Sequence, residues 1–496
     1  MHFTSWTFAV FLPLVLLLHY AGRSAVWQVG LLTVASFVFY GWNAPWLTVL
    51  LAASTTINAE AARRMLNPSI TQGRRSALLT GALLFNLGAL ATFKYGKLVG
   101  PLILPASLWE RWGPGIQEIP LPIGISFYTF QGISLVVDVY RAGPGGFQGL
   151  TATHGFRELL AFHGRVWFFK AFFPQLIAGP IVKAGEFLYQ IGAKRLGEVD
   201  WSGALRRLIA GFFFKMVVAD NLMEATSSLR YPLFITLPKV SLVALLYGYS
   251  FAIFADFCGY SLIAMGLAKL FGYELPPNFN YPYLSRSITE FWRRWHLSLS
   301  SWLREYLYIP LGGNRHGEAR TYLNLFLVMF LGGLWHGVAW SFAVWGTAHG
   351  LLLALERFVG RRPKARTATS TPTGAHAAEP AWTPLAVLQV LLTFTCVSGL
   401  WLLFKLTDFH HVLIYLRCLV QNPMGAQPQT LYAIGLFSIP VVAHHLWGAL
   451  PQARQQCLDR IGPTGWARLT ALAYAAMLLA IAINNGAPGD FVYFQF

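Results

Sequence analysis

Charged side chains are scarce in this sequence, and acidic ones are scarcer than basic ones. Only 11% of the 496 residues are charged, with 20 Asp and Glu against 37 Lys and Arg, whereas roughly 25% of the residues in a soluble domain carry charge. Hydrophobic residues make up 55% of the chain. A soluble protein of this length has too little interior to hide so much apolar surface. The composition therefore excludes a soluble domain and predicts an integral membrane protein.

Cysteine is also rare, and its positions exclude two kinds of site. The four cysteines lie within or beside apolar stretches and form no CxxC pair, so neither a disulfide framework nor a thiolate metal site is predicted. The first residues, MHFTSW, lack the basic segment that opens a signal peptide. We therefore expect the apolar stretch Phe8–Leu18 to be a retained, short first span.

The formal net charge of +17 invites a nucleic-acid interpretation, which the distribution of the charges contradicts. Lys and Arg lie mostly in short segments between apolar runs, as the positive-inside bias predicts. There they would meet the anionic headgroups of the cytoplasmic leaflet. No basic domain free of spans is left to hold DNA or RNA, so the predicted partner is a lipid bilayer.

Apolar runs recur along the whole chain. They lie at about residues 5–20, 27–42, 45–61, 76–93, 120–140, 166–182, 204–219, 240–271, 321–334, 338–355, 384–404, 411–420, 431–447 and 467–484. A span needs roughly 20 apolar residues, and several runs are shorter, which indicates re-entrant segments enclosed by protein or by a water-filled cavity. We expect roughly 10 to 13 true spans in a single integral membrane domain over residues 1–496.

Basic loops predict the orientation of these spans. Arg63, Arg64, Arg74 and Arg75 bracket one loop, which should be cytoplasmic. Counting back three apolar runs places the N-terminus outside, in the periplasm of a Gram-negative cell. A second basic segment then continues into a run of Thr, Ala and Pro, and we expect a flexible cytoplasmic linker at about residues 357–384.

Polar residues within the apolar regions concentrate in residues 275–350, and FWRRWHLSLSSWLREYLYIPLGGNR (291–315) is the densest stretch. Read as one helix, it places Trp292, His296 and Ser300 on a shared face. Its arginines would be costly in lipid, so the segment lies at an interface or lines a polar cavity. An amphipathic interfacial helix explains the pattern equally well, but it does not exclude a functional His296.

A second candidate, His336, lies in a run that is otherwise apolar or small, FLGGLWHGVAWSFAVWGTAHG. An ionisable residue there is costly and indicates a function, and removal from water favours the neutral imidazole that a general base requires. The small neighbours Gly332, Gly333 and Gly337 are expected to let a bulky substrate approach. The alternative is a histidine that forms a structural hydrogen bond between helices.

For the remaining histidines we expect structural roles. His349 follows His336 by thirteen residues, several helical turns away, and packing is its expected role. The pairs His410–His411 and His444–His445 adjoin predicted span ends and are expected to be interfacial. HExxH and GxSxG motifs are missing, and no carboxylate or cysteine lies at ligand spacing from His336. These absences argue against a zinc protease and a serine hydrolase, and no metal is expected.

At these two polar segments the sequence resembles the membrane-bound O-acyltransferase family, and within it the bacterial alginate and peptidoglycan O-acetyltransferase membrane subunits. The resemblance runs along nearly the whole chain. It is carried in order by LPIGISFYTFQ (121–131), DVYR (138–141), FFPQLIAGPIV (172–182), ADNL (219–222), LPPNFNYPYLSRSITEFWRRWHLSLSSWLREYLYIPLGG (275–313), LWHG (334–337) and FVYFQF (491–496). One such motif would be weak, and this many in order is specific.

The resemblance implies a fold and two site residues. The fold is an all-α polytopic membrane protein, a ring of tilted transmembrane and re-entrant helices around a central tunnel. The histidine of the family's WHG motif is catalytic, which carries over onto His336. The histidine of the FWRRWH segment is the second one implicated, which carries over onto His296.

One departure from the family limits what else can be transferred. The family usually reads DFSGYSD where this chain reads DFCGYSL, with Cys258 and Leu262 at two of those places. Any role of the missing acid is therefore not carried over. Asp256 and Tyr260 remain, and they are expected to be supporting residues.

The residues and the resemblance together predict a membrane O-acetyltransferase. No Ser or Cys nucleophile stands out, so direct transfer is favoured over an acyl-enzyme, with His336 as base and His296 orienting the acceptor or polarising the thioester. Positive charge on the cytoplasmic side favours an anionic acyl-CoA donor such as acetyl-CoA. The resemblance implies that the acetyl group crosses the bacterial inner membrane to a periplasmic or membrane-anchored acetyltransferase partner and then to a cell-surface polysaccharide such as alginate.

Several alternatives remain open at this point. The acceptor could be peptidoglycan or another exopolysaccharide, and the acyl group could be D-alanyl. A transporter subunit also places histidines near the midplane, but paired repeats expected of one are not visible in the sequence. A structural subunit of a polysaccharide-export complex is a similar outside alternative. Thioester cleavage by the purified protein separates the enzyme from both.

Overall fold

The computed structural model describes residues 1–118, 122, 124–153, 155–177, 179–360, 382–484, 489 and 491. The α-helices are α1 Trp6–Ala21, α2 Ala25–Gly41, α3 Leu47–Met65, α4 Gln72–Leu90, α5 Gly96–Ile103, α6 Ala106–Glu118, α7 Ile125–Ala142, α8 Phe156–Ala171, α9 Phe173–Leu176, α10 Ala184–Phe187, α11 Trp201–Phe212, α12 Asp220–Ala225, α13 Lys239–Leu270, α14 Ile288–Trp292, α15 Leu297–Leu303, α16 Glu318–His336, α17 Trp340–Val359, α18 Pro384–Lys405, α19 Phe409–Gln421, α20 Pro428–Ala449 and α21 Pro451–Ile483.

Short elements of other kinds interrupt this series. Three π-helices cover Ala91–Tyr95, Phe213–Ala219 and Arg304–Tyr308, and 3₁₀ turns cover Leu188–Gln190, Leu196–Glu198 and Pro282–Leu284. In the described chain the β-structure is one antiparallel pair of two-residue strands, β1 Gly146–Phe147 and β2 Leu150–Thr151. The predicted all-α class is confirmed.

Five helices in the described ranges are long and apolar enough to cross a membrane. These spans are Gln72–Tyr95, Lys239–Leu270, Pro384–Lys405, Pro428–Ala449 and Ala453–Ile483, and α1 and α2 are shorter apolar helices. Many large side chains remain exposed on them, including Leu391, Leu392 and Leu436. Apolar surface of this extent is suited to lipid rather than water. The chain is a multi-pass membrane protein.

The described chain divides into two compact units, of which unit 1 comprises Met1–Asp220, Ile253–Asn278 and Thr464–Phe496. Within it α3 packs against α4, α7 and α8. Asn58 and Asn86 exchange side-chain hydrogen bonds of 3.2 and 2.7 Å between α3 and α4. Because a Cβ on Gly132 would lie 2.8 Å from the Asn86 side chain, glycine lets α7 approach this pair. This buried amide pair thus satisfies its polar groups within the protein, as lipid-embedded protein requires.

Unit 2 comprises Asn221–Ala252 and Phe279–Pro463, and its centre is the hairpin of α16 and α17. The two helices touch at Gly333 and Gly346, where an added Cβ would lie 2.3 Å from the carbonyl oxygen of Phe342 or 2.2 Å from that of Met329. Only glycine allows this approach, as at small-residue contacts between membrane helices. α18 also packs against α17, and so does α14.

Two expectations about organisation stay predictions. Whether residues 1–496 act as a single domain is one of them. Of the predicted linker at 357–384, residues 361–381 lie outside the described part of the chain. At its edges, Arg357 belongs to α17 and forms a 3.3 Å ion pair with Glu318, and Pro384 opens α18 beneath the Thr383 cap.

Candidate active site

The segment read as one helix over 291–315 is broken into two short helices, and that interpretation was wrong. α14 ends at Trp292, the chain turns through residues 293–296, and α15 begins at Leu297. His296 is the residue before α15, with φ 44° and ψ 55°. This left-handed conformation ends the periodicity, so Trp292, His296 and Ser300 do not lie along one helical face.

Caps from two directions hold α14 in place. The Ser287 hydroxyl accepts a hydrogen bond from the amide of Glu290, as an N-cap does. In addition, the Glu356 carboxylate, which belongs to α17, accepts hydrogen bonds from the backbone amides of Ile288 and Thr289. A negative charge at a helix N-terminus is favourable. α14 is therefore fixed to the hairpin that carries His336.

His296 is fully buried next to an anchored neighbour. Its own exposed fraction is 0% and that of Trp295 is 2%. The Trp295 ring packs against Phe279, with centroids 5.0 Å apart, and against Trp401 on α18 at 5.1 Å. A left-handed backbone at a residue other than glycine costs roughly 1–3 kcal/mol and persists where the surroundings determine it, commonly at functional sites. Trp295, packed between Phe279 and Trp401, is the neighbour that holds the backbone at His296.

His336 is the last residue of α16 and is enclosed by three aromatic rings. Its imidazole centroid lies 5.0 Å from Trp335, 5.1 Å from Trp345 and 5.2 Å from Phe404, all edge-on. Its exposed fraction is 4%. The following Gly337 is extended and ends the helix. α16, α17 and α18 each contribute one ring, so the imidazole is held in a largely aromatic environment.

The structure brings the two predicted site residues to a common neighbour. The Trp335 ring lies 6.0 Å from His296 and 5.0 Å from His336. Both imidazoles therefore lie near the C-terminal end of α16, although forty residues separate them in the sequence. Their catalytic roles stay predictions.

His349, expected to pack, is part of the same cluster. Its Nδ1 accepts a 3.3 Å hydrogen bond from Trp292 Nε1. Its ring lies 4.7 Å from Trp345, and the same tryptophan lies 5.1 Å from His336. The sequence offered no signal for this arrangement, because thirteen residues of helix do not show which partners the next helix brings.

The glycines around His336 do not open a path for a bulky substrate, and that expectation was wrong. A Cβ on Gly337 would lie 2.1 Å from the Phe342 ring, and one on Gly332 would lie 3.3 Å from the Leu303 side chain. Gly333 is in contact with Gly346. Protein, rather than a substrate, occupies the space that these small residues leave.

His445 is buried within the protein near the end of α20. It is 5% exposed, stacks on Tyr283 at 5.3 Å, and its Nδ1 lies 2.8 Å from the carbonyl oxygen of Val441. Its expected interfacial position in the membrane stays a prediction. Its neighbour His444 is half-buried and contacts Tyr281 at 4.9 Å. A period of 3.6 residues places only one member of an adjacent pair toward the protein.

The supporting residues Asp256 and Tyr260 belong to a buried ionic cluster in unit 1. Lys215 Nζ lies 2.7 Å from Asp220 and 2.8 Å from Asp256, with all three side chains at most 4% exposed. The ammonium lies 5.6 Å from the Tyr260 ring. The sequence analysis missed Lys215. The signal that could have revealed it is a lysine inside an apolar run, FFFKMVVA. Paired in this way, the three charges are tolerated in a low-dielectric interior.

No group of three or more His, Cys, Asp or Glu side chains suited to a metal ion occurs in the part of the chain that the structure describes. The cysteines Cys258, Cys396, Cys418 and Cys457 are all free thiols.

The helical membrane fold and the enclosed histidines are expected of a membrane-bound acyltransferase. Comparison with known proteins agrees with this class. Residues 166–403 match the model of MBOAT, the membrane-bound O-acyltransferase family. The chain is 38% identical to the probable alginate O-acetylase AlgI of Pseudomonas aeruginosa over 356 residues. The aligned region covers 71% of this chain and 65% of that protein. It is 33% identical to the peptidoglycan O-acetyltransferase of Helicobacter pylori over 412 residues. That aligned region covers 78% of this chain and 73% of the relative.

A more distant relative carries a different acyl group in its name. The teichoic acid D-alanyltransferase of Bacillus subtilis is 27% identical over 356 residues, which cover 67% of this chain and 83% of that protein. The polytopic helical fold and these relatives point to the acyltransferases of the membrane as the class of this protein. The chain belongs to the membrane-bound O-acyltransferase family.

Proposed function

We propose that this protein is an O-acetyltransferase of the bacterial inner membrane that takes an acetyl group from cytoplasmic acetyl-CoA and passes it across the bilayer. A periplasmic or membrane-anchored partner then delivers it to hydroxyl groups of a cell-surface polysaccharide such as alginate. The observation that carries the proposal is the enclosure of His336 at the end of α16. Alginate as the final acceptor rests on the alginate O-acetylase relative, of which the chain spans 65%.

The reaction needs one base and no covalent enzyme intermediate. The first acceptor is a hydroxyl of the partner, which afterwards exchanges its acetyl ester for a polysaccharide hydroxyl. The imidazole of His336 takes the proton of this first hydroxyl as its oxygen attacks the thioester carbonyl carbon. The tetrahedral intermediate collapses, the carbon–sulfur bond breaks, and the thiolate takes the proton back from the imidazolium. The products are an ester and free CoA thiol. Such general-base help contributes roughly 10²–10⁴ in rate.

Burial suits His336 to this role. With 4% of the residue exposed, the aromatic enclosure keeps water from hydrolysing the thioester. His296 shares the neighbour Trp335, and its proposed role is to donate a hydrogen bond to the carbonyl oxygen or to orient the acceptor. Negative charge that develops on that oxygen is stabilised most by donors already in position.

Peptidoglycan or another exopolysaccharide is the second candidate acceptor, and D-alanyl the second candidate acyl group. The specific observations in their favour are the peptidoglycan O-acetyltransferase and teichoic acid D-alanyltransferase relatives. The same base and the same bond changes apply to each.

Labelled transfer in native membranes tests the proposal. Membranes with the full protein and its cellular partners are given radiolabelled acetyl-CoA, and alkali-labile label is counted separately in alginate, peptidoglycan and other polysaccharide. We expect label in alginate that is absent with the His336→Gln variant. Label confined to peptidoglycan would move the proposal to that acceptor, and label independent of His336 would overturn the role of this residue.

A further inference from the structure

The walls around His336 limit how large an acyl group can reach it. Trp335, Trp345 and Phe404 approach the imidazole to 5.0–5.2 Å between ring centroids. Their exposed fractions are 4%, 1% and 1%. Three edge-on rings at this separation cover the sides of the imidazole that they face, so an acyl group that reaches the base must pass these rings.

These rings are themselves fixed by other rings. Phe404 packs against Phe342 at 4.9 Å and against Trp401 at 5.3 Å. Trp345 stacks on Trp401 at 5.6 Å, with 25° between the planes. Phe342 in turn fills the space above Gly337. Since protein interiors are close-packed, neither Phe404 nor Trp345 can swing aside without displacing its neighbours.

We infer that Phe404, supported by Trp345, determines acyl-chain length: it admits a two-carbon acyl group to His336 and excludes longer ones. The inference rests on the proposed role of His336 and adds the residue that selects the substrate. One methylene in an apolar pocket changes the specificity constant by roughly 10- to 200-fold. Each added methylene of a propionyl or butyryl group would have to displace a ring that has no free space behind it.

Phe404 is the informative residue to change because α18 offers a matched control. Phe394 lies ten residues earlier on the same helix, roughly 15 Å away along the axis. Its ring contacts Tyr247, Phe251 and Tyr283. Phe394→Leu therefore makes the same chemical change in the same helix, away from the rings that enclose His336.

The experiment compares acetyl-, propionyl- and butyryl-CoA as donors in membranes with the full protein. The measured quantity is transfer to polysaccharide per folded protein, for wild type, Phe404→Leu, Phe404→Ala and Phe394→Leu. Wild type and Phe394→Leu should prefer acetyl over butyryl by at least about 10-fold. In the Phe404 variants the butyryl-to-acetyl ratio should rise by about 10-fold or more.

Each outcome decides the inference. An unchanged ratio in a folded Phe404 variant overturns it, as does a wild-type protein that uses butyryl-CoA as well as acetyl-CoA. The second comparison needs no variant, so it stands even if Phe404→Ala fails to fold. If instead acetyl transfer does not depend on His336, the proposed function fails, and that result is distinct from an unchanged ratio.

Discussion

At the scale of single residues, His296 combines a buried imidazole with a left-handed backbone, and the two properties can be separated. Glycine adopts φ 44° without strain and asparagine adopts it readily. We expect His296→Gly and His296→Asn to fold at least as well as wild type, while acetyl transfer falls by about 10-fold or more. Gly removes the imidazole donor, and the shorter Asn side chain holds its amide donor in a different place. Transfer and thermal unfolding of the same purified samples are the measurements.

The comparison variant at this position is His296→Val, whose branched side chain is disfavoured at positive φ. It should lose stability as well as activity. If His296→Asn transferred acetyl at the wild-type rate, the imidazole would have no part in the chemistry, and His296 would serve only the turn that precedes α15.

His336 gives a sharper test of the base. His336→Gln keeps hydrogen-bonding capacity but cannot take a proton, and His336→Ala removes both. Because a lost general base costs roughly 10²–10⁴ in rate, both variants should be about 100-fold or more slower in labelled acetyl transfer. The exposed His316 supplies a control, since His316→Gln should keep wild-type transfer. A His336→Gln variant with most of its activity would make His336 a structural hydrogen bonder.

The sequence identified some of the site residues and missed others. His336 was identified because an ionisable side chain in an apolar run is rare and costly. The partners of Lys215 were not identified, since Asp256 lies on another helix and no local pattern joins the two. The same holds for Phe404, one of 38 phenylalanines, whose position beside His336 is fixed only by tertiary packing.

At the scale of elements, the contact between α16 and α17 depends on two glycines. A methyl group at Gly346 would lie 2.2 Å from the carbonyl oxygen of Met329 and 3.0 Å from Gly333. The helices would have to separate, and overpacking of this kind costs about 1–3 kcal/mol. We expect Gly346→Ala to lower the temperature at which the detergent-purified protein leaves its monodisperse size-exclusion peak.

Gly435 is the matched control for that prediction. It lies in α20 of the same unit, and a methyl group added there would meet no atom within 4 Å. Alanine favours helix over glycine by roughly 0.5–1 kcal/mol, so Gly435→Ala should melt at or above the wild-type temperature. Equal melting of the two variants would show that the glycine contact is not a constraint on the hairpin.

Helical periodicity succeeded for the long elements and failed for the short ones. The apolar runs at 384–404 and 431–447 correspond to α18 and α20, because a span in lipid must satisfy its backbone within one helix. The polar stretch at 291–315, read as one helix, instead breaks at His296. At the break Trp295 is buried and Glu356 from another helix caps α14, and the local spacing indicates neither contact.

At the scale of the whole molecule, the orientation in the membrane can be tested at the two ends of α3. This helix of 19 residues is roughly 28 Å long, close to the hydrocarbon thickness of about 30 Å. Asn43 before it and Ser69 after it are exposed. Because the basic loop should be cytoplasmic, an impermeant maleimide on intact spheroplasts should label Asn43→Cys and not Ser69→Cys.

The background for this labelling is the protein with its four cysteines replaced by serine or alanine. Lysed membranes should label both sites equally, which controls for the reactivity of each thiol. Labelling of Ser69→Cys alone from outside would invert the proposed topology, and the N-terminus would then be cytoplasmic.

The discontinuous make-up of unit 1 has a consequence for its biogenesis. Asn484 donates a 2.9 Å hydrogen bond to the carbonyl oxygen of Met216, 268 residues earlier in the chain, and Phe491 packs on Tyr260 at 4.2 Å. At roughly 5–20 residues per second, translation separates the first pair by about 13–54 s. The helices around Lys215 therefore enter the bilayer well before their last packing partners exist, and for that interval they depend on the insertion machinery and are open to membrane proteases.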